Sequence, residues 1–372
     1  MKSSLFRKEL SGVQTLVVKA GSRILTASGH EERACGLVED LAALRRSGVR
    51  VVLVSSGAIA HGMKALSLSK RPAAIPMQQA CASIGQNRLM NMYQRIFEAH
   101  GLLIGQVLLT WDDLRSKKRY LNLRNTLFQL LDRGAVPIVN ENDSVGVEEI
   151  QFGNNDTLGA QIALLVHADV FVNLTDVGGL YDKNPRGDKS AKHIPVVGAV
   201  SCDIQKLADD KKNDISVGGM STKLKAAQMV TRAGIPALIG DGFEQRLLTV
   251  LKDEARATLF LPAEHKMRPT QRWIAFAGQP AGSVTVDAGA AKALTERGKS
   301  LLAAGITAVN GNFKAGDMVD ITDGKSTIAK GLVNFTAEEL ELIQGCKSAE
   351  IAQKLGAVKF DEVIHRDNLV IL

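Results

Sequence analysis

Val217-Gly218-Gly219-Met220-Ser221-Thr222-Lys223 places a glycine pair, two hydroxyl side chains and a lysine at the opening of a helix-type pattern. Ala226, Val230 and Ala233 follow at i, i+4 and i+7, Gly234 stops the pattern, and the apolar run 235–239 comes next. Helix, stop and strand in that order are the unit of a doubly wound α/β sheet. Glycine lets a backbone approach an anion, the free N–H groups of a first helical turn point at it, and Lys223 adds a full positive charge. A glycine-serine-threonine cluster also serves as an ordinary helix cap, so the rest of the chain decides between the two.

Two further junctions have the same form. The apolar run 15–18 ends in Lys19-Ala20-Gly21-Ser22, and the run 51–54 ends in Ser55-Ser56-Gly57-Ala58. Ligands of α/β folds bind at the carboxyl ends of strands, so several strand-glycine turns bearing lysine or hydroxyl groups point to one shared anion pocket. Strands are expected at 15–18, 50–54, 102–109, 135–139, 170–174 and 235–239. A helix at 120–133 carries Leu123, Leu127, Leu130 and Leu131 on one face and stops at Gly134. This alternation predicts a largely parallel sheet with helices on both faces.

At 372 residues and 45% hydrophobic, the chain buries a full core and divides into more than one domain. We place an α/β domain at 1–261, a linker at 262–272, where two prolines break both periodicities, and a second domain at 273–372. The second domain reads as short β-type runs at 282–286, 305–309, 317–321 and 327–332 with a helix near 338–344. Gly298-Lys299-Ser300 and Gly324-Lys325-Ser326 imitate the end of a P-loop but lack its earlier glycine, having Ala293 and Val319 there. No apolar run approaches the ~20 residues of a membrane span, and the opening residues carry no signal-peptide stretch, so a soluble cytoplasmic protein is expected. Cys35, Cys81, Cys202 and Cys346 are scattered, as reduced structural thiols are. The net charge of +7 is unevenly placed: residues 273–372 hold 10 Lys+Arg against 12 Asp+Glu, net −2, which leaves 36 against 27, net +9, for the rest.

The loop Asn140-Glu141-Asn142-Asp143-Ser144-Val145 follows the fourth expected strand, and Phe152-Gly153-Asn154-Asn155-Asp156-Thr157 opens a helix. Asp143 offers a carboxylate for a substrate ammonium, Asn155 offers amide hydrogen bonds, and Asp156 can hold two lysines by opposite charge. Asn173-Leu174-Thr175-Asp176-Val177-Gly178-Gly179-Leu180-Tyr181 is a further strand-to-turn segment of the kind that binds nucleotide. Plain caps and loops use the same residue types; their order behind successive strands is what distinguishes them.

Lys19 to Ser22, Val54 to Ile59, Asn140 to Asp143, Asn155-Asp156, Leu174 to Asp176 with Gly179 to Tyr181, and Gly218 to Lys223 resemble the motifs of the amino acid kinase family. The likeness covers nearly the whole chain, and the second domain resembles the small, mainly β PUA barrel. Within the family, Asn140 to Asp143 and the appended domain match the branch that acts on free L-glutamate. The resemblance implies transfer of phosphate from MgATP to the γ-carboxylate of glutamate, the first step of proline biosynthesis. An ionised carboxylate needs no general base, so catalysis reduces to alignment and charge neutralisation. By the same match Lys19, Lys223 and Asp156 are catalytic, and Ser56, Gly57, Asp143 and Asn155 bind glutamate. Lys19, Thr175, Asp176, Val217, Gly218, Gly219, Met220, Ser221, Thr222 and Lys223 bind ATP, and Mg2+ arrives on the nucleotide without a protein ligand cluster.

The resemblance further implies inhibition by proline, with Glu149 in the responsive loop, assembly into dimers or tetramers, and hand-over of product to glutamyl phosphate reductase. Val217, Asn154 and Ala20 depart from the commonest family residues, which are threonine, aspartate and leucine. Two competing readings are a related kinase of another carboxylate and an RNA-binding PUA protein. The net −2 of the second domain and its few aromatics count against RNA.

Overall fold

Strands buried on both faces read as unbroken apolar runs, and the first unit of this chain is built from such runs. The computed structural model describes residues 10, 12–146, 155–185, 187–208, 219–253, 256–356 and 360–372. The chain forms two units, Met1–Asp113 with Lys118–Lys266, and Leu114–Lys117 with Met267–Leu372.

The strands of the first unit are β1 (Thr15–Ala20), β2 (Arg50–Val54), β3 (Ile104–Leu109), β4 (Val136–Glu141), β5 (Val170–Thr175), β6 (Leu180–Tyr181), β7 (His193–Ile194), β8 (Val196–Val197), β9 (Ala237–Asp241) and β10 (Ala257–Phe260). Eight of them form one sheet in the order β3-β4-β2-β1-β5-β9-β10-β8, while β6 and β7 pair separately. From β3 to β9 every pairing is parallel; β10 runs antiparallel to β9. Every residue of β1, β4 and β5 is buried. The order reverses around β1, which lies between β2 and β5, and such a switch point opens a crevice at the carboxyl ends of the strands.

Two faces are covered by different helices. His30–Arg46 and Ile75–Glu98 pack Leu37, Val38, Leu41, Leu89, Tyr93 and Phe97 against Leu16, Val18, Leu53 and Ile138. On the opposite face lies Asn155–Leu165, buried at every residue; a helix apolar all round belongs inside a core. Its Gly159 sits so close to the sheet that an added Cβ would lie 2.9 Å from the Phe171 ring and 3.2 Å from Lys19 Cβ.

The second unit has β11 (Gly282–Val286), β12 (Ile306–Gly311), β13 (Met318–Thr322), β14 (Thr327–Leu332) and β15 (Leu369–Ile371), in the order β12-β11-β13-β14-β15. All of its pairings are antiparallel except β11 with β13. Helices Ala288–Arg297 and Ser348–Leu355 and the last strand go beyond the elements expected from sequence. Helix Pro269–Phe276 begins inside the stretch expected as linker, because Pro269 takes the first helical position and Gln271 Oε1 accepts from the Arg268 N–H at 3.1 Å.

Helices Ala58–Ala65 and Ile75–Glu98 touch backbone to backbone at two glycines. A Cβ on Gly62 would fall 1.8 Å from Cys81 O, and one on Gly85 would fall 1.7 Å from Ala58 O. Neither clash involves a movable side chain, so Gly62→Ala and Gly85→Ala are each expected to destabilise the protein by about 3 kcal/mol or more. Urea unfolding checks this, with Gly198→Ala, whose Cβ meets nothing within 4 Å, expected to be neutral.

Candidate active site

The parallel register brings the expected residues into one row. Lys19 of β1 lies opposite Val54 of β2 and Asn173 of β5, and Val54 lies opposite Val139 of β4. Lys19, Ser55, Asn140 and Asn173 therefore all stand at the carboxyl ends of adjacent strands, where the helix beginning at Asn155 delivers Asp156.

Asp156 is the hub. Its Oδ1 accepts from Lys19 Nζ at 2.7 Å and Asn173 Nδ2 at 3.0 Å, and its Oδ2 accepts from Lys223 Nζ at 3.1 Å and Thr222 Oγ1 at 2.6 Å. The carboxylate also sits in the first turn of its helix, where the helix dipole favours negative charge. Burial alone would favour the neutral acid, but the two ammonium charges and the hydrogen bonds from Lys19 and Thr222 outweigh it and hold the carboxyl well below the usual range. Lys223, equally buried, is lowered by that burial and by Lys19, while Asp156 pulls it back up. The cluster sets one carboxylate between two lysine side chains.

Helix Met220–Arg232 presents Thr222 and Lys223 from its first turns. Its N-cap is Gly219, which brings no side chain to the first turn, the place where helix N–H groups favour an anion. Gly21 closes the other side: its N–H donates to Leu174 O at 3.1 Å, and a Cβ there would lie 3.2 Å from the same oxygen. At the end of β5, Thr175 Oγ1 donates to Asp176 Oδ1 at 3.1 Å, and Arg23 pairs with Asp176.

Asn155 organises a second, neutral cluster. Its Nδ2 lies 2.9 Å from Ser56 Oγ, 3.1 Å from Ser55 O and 3.1 Å from Asn140 Oδ1. Behind them Ser55 Oγ bonds Tyr93 Oη at 3.0 Å and Asn140 Nδ2 donates to Gln86 Oε1 at 3.0 Å. Gly57 holds φ +98° as the N-cap of the next helix, a conformation that suits glycine. Asp143 follows in the loop after β4; it is 5% exposed, and its Oδ1 has no hydrogen-bond partner among the described residues. Burial pushes its carboxyl up to about 6, with Arg71 pulling it partway back.

Of the residues expected from sequence, Lys19, Asp156, Thr222 and Lys223 meet directly, and Ser56 and Asn155 meet beside them. Val217, Gly218, Glu149 and Asn154 lie outside the described residues, and Ala20 is a buried strand residue. Sequence reasoning assigned no role to Gln86 or Tyr93, and took Ser55 and Asn173 only as members of strand-end segments. Asn173 left a signal, being an amide inside an otherwise apolar strand. Among the described residues no three His, Cys, Asp or Glu side chains gather as a metal cluster.

A model of the amino acid kinase family matches residues 14–241, and a model of the PUA domain matches residues 282–355. The chain is 44% identical to the glutamate 5-kinase of Trichlorobacter lovleyi over 98% of both chains. It is 45% identical to that of Moorella thermoacetica, again over 98% of both, and 44% identical to that of Methylococcus capsulatus over 98% of this chain and 99% of the relative.

Asp143 carries a pH signature. Its folded pKa lies above the ordinary 3.8, so between about pH 4 and 6 the folded form keeps a proton that the unfolded chain has released. Stability contributed by this group is therefore lost as pH rises through that window. Asp143→Asn is expected to stabilise the ligand-free protein at pH 8 by on the order of 1–3 kcal/mol, with the gain vanishing near pH 4. Urea melts at both pH values check it.

Proposed function

The chain belongs to the amino acid kinase family, and from that premise we propose that it phosphorylates the γ-carboxylate of L-glutamate with ATP. The products are L-glutamyl 5-phosphate and ADP, in the first step of proline biosynthesis. The supporting observation is the Lys19–Asp156–Lys223 clamp, set one residue from Asn155 and near Asp143, whose Oδ1 has no hydrogen-bond partner among the described residues.

The γ-carboxylate is ionised at neutral pH and attacks the γ-phosphorus of ATP directly, with ADP leaving on the opposite side. No residue has to remove a proton, and Asp156, held as an anion by two lysines, is unsuited to do so. Its work is to fix Lys19 and Lys223 so that their charges meet the oxygens of the transferring phosphoryl group without reorganisation. The first helical turn after Gly219 and the close backbone at Gly21 complete the cradle. Thr175 and Asp176 at the end of β5 line the nucleotide side. Magnesium fits this donor set as an ion carried on the nucleotide phosphates, since it keeps most of its waters and needs one or two carboxylates at most. Asp176, at the end of β5 and paired with Arg23, would be the carboxylate to hold it.

On the amino acid side, Asp143 complements the α-ammonium, and the amide of Asn155 with Ser56 and Gly57 fixes the carbon chain. Proline carries the same ammonium, so feedback inhibition by occupation of the glutamate site follows from the same contacts. We also propose a cytoplasmic homo-oligomer, dimer or tetramer, that passes its labile acyl phosphate to glutamyl phosphate reductase.

Hydroxylamine trapping of the acyl phosphate, run in parallel with glutamate, acetylglutamate and aspartate, is expected to give hydroxamate with glutamate. In the same assay Lys19→Met and Lys223→Met should each lower kcat by roughly 100-fold or more while the fold survives. Wild-type turnover in folded Lys223→Met would reject the phosphate site.

A further inference from the structure

One helix braces the amino acid side of the site. Along Ile75–Glu98, Gln86 Oε1 accepts from Asn140 at 3.0 Å and Ser83 Oγ shares a hydroxyl bond with Ser144 at 2.9 Å, so the helix lies along the loop that carries Asp143. About a turn and a half before Ser83, the buried Gln78 accepts from Arg71 Nε at 2.8 Å. That bond occupies the inner guanidinium nitrogen. The terminal pair, which grips a carboxylate in fork geometry, forms no ion pair among the described residues.

The proposed kinase reaction, on which this inference rests, leaves one charge of the substrate without a partner. L-Glutamate carries an α-ammonium, an α-carboxylate and a γ-carboxylate. The γ-carboxylate must stand at the clamp to meet phosphate, and Asp143 matches the ammonium. The α-carboxylate then needs a cation close to Asp143, and Lys19 and Lys223 are already committed to Asp156. Arg71 is the cation whose attraction reaches Asp143, and it is exposed, so a ligand can reach it. We infer that Arg71, held by Gln78, binds the α-carboxylate of the amino acid substrate, so that Arg71 and Asp143 together read its zwitterionic end.

Two truncated substrates separate the contacts: 4-aminobutyrate is glutamate without the α-carboxylate, and glutarate is glutamate without the ammonium. ADP release would be measured for L-glutamate and both analogues with wild type, Arg71→Met and Arg71→Lys. Arg71→Met is expected to lower kcat/KM for glutamate roughly 10- to 100-fold, mainly through KM, as loss of a hydrogen bond to a charged group does. The preference for glutamate over 4-aminobutyrate should narrow by the same factor, while the preference over glutarate, set by Asp143, persists. Arg71→Lys, a cation without the fork, should recover part of the loss. An unchanged preference over 4-aminobutyrate in Arg71→Met, or equal loss of both preferences, would overturn the assignment. No ADP release by wild type with any of the three would refute the kinase reaction itself and this inference with it.

Discussion

A buried carboxylate survives as an anion only if cations come to it, and Asp156 has two. Each comes from a different part of the chain: Lys19 from the end of β1, Lys223 from the first turns of the helix that starts at Met220. Asp156 itself opens the fully buried helix Asn155–Leu165. Three distant segments are thus held to one point by charges that could not remain buried separately. Removing the anion would leave two buried lysines facing one another, where burial and Lys19 both disfavour charge on Lys223. Two lysines set against a single carboxylate suit the site to an anion that spreads charge over several oxygens.

The amino acid side is built differently, from neutral groups braced by one helix. Gln78, Ser83, Gln86 and Tyr93 of Ile75–Glu98 bond respectively to Arg71, Ser144, Asn140 and Ser55. The two backbone contacts at Gly62 and Gly85 lock this helix to the one that follows Ser55-Ser56-Gly57. Neutral hydrogen-bonded loops cost little to keep buried, whereas Asp143, with one oxygen unpartnered among the described residues, costs stability until a ligand supplies a cation.

Much of this was legible in the sequence. Lys19, Ser55-Ser56 and Thr175-Asp176 each follow a run of apolar β-type residues, and a strand end in an α/β sheet is where a side chain can reach ligand, so position alone pointed to them. Lys223 followed from a glycine pair at a helix start. The bracing residues were hidden because their work is tertiary: Gln86 and Tyr93 look like ordinary members of an amphipathic helix until the helix is packed, and the lone amide of Asn173 gains meaning only from its register opposite Lys19. Within the stretch expected as linker two prolines read as a break, and Pro269 starts a helix. Helices Ala288–Arg297 and Ser348–Leu355 were missed since each is short and lies among glycine turns that favour a strand reading.

The clamp on Asp156 is the claim on which the rest depends, and a transition-state mimic addresses it directly. Calorimetric titration would compare MgADP alone with MgADP, aluminium fluoride and glutamate together, in wild type and in Asp156→Asn. A preorganised pair of lysines should bind the mimic at least about 100-fold more tightly than MgADP in the wild type, and most of that gain should disappear in Asp156→Asn while MgADP affinity changes little. An Asp156→Asn protein that kept the full gain would contradict the account.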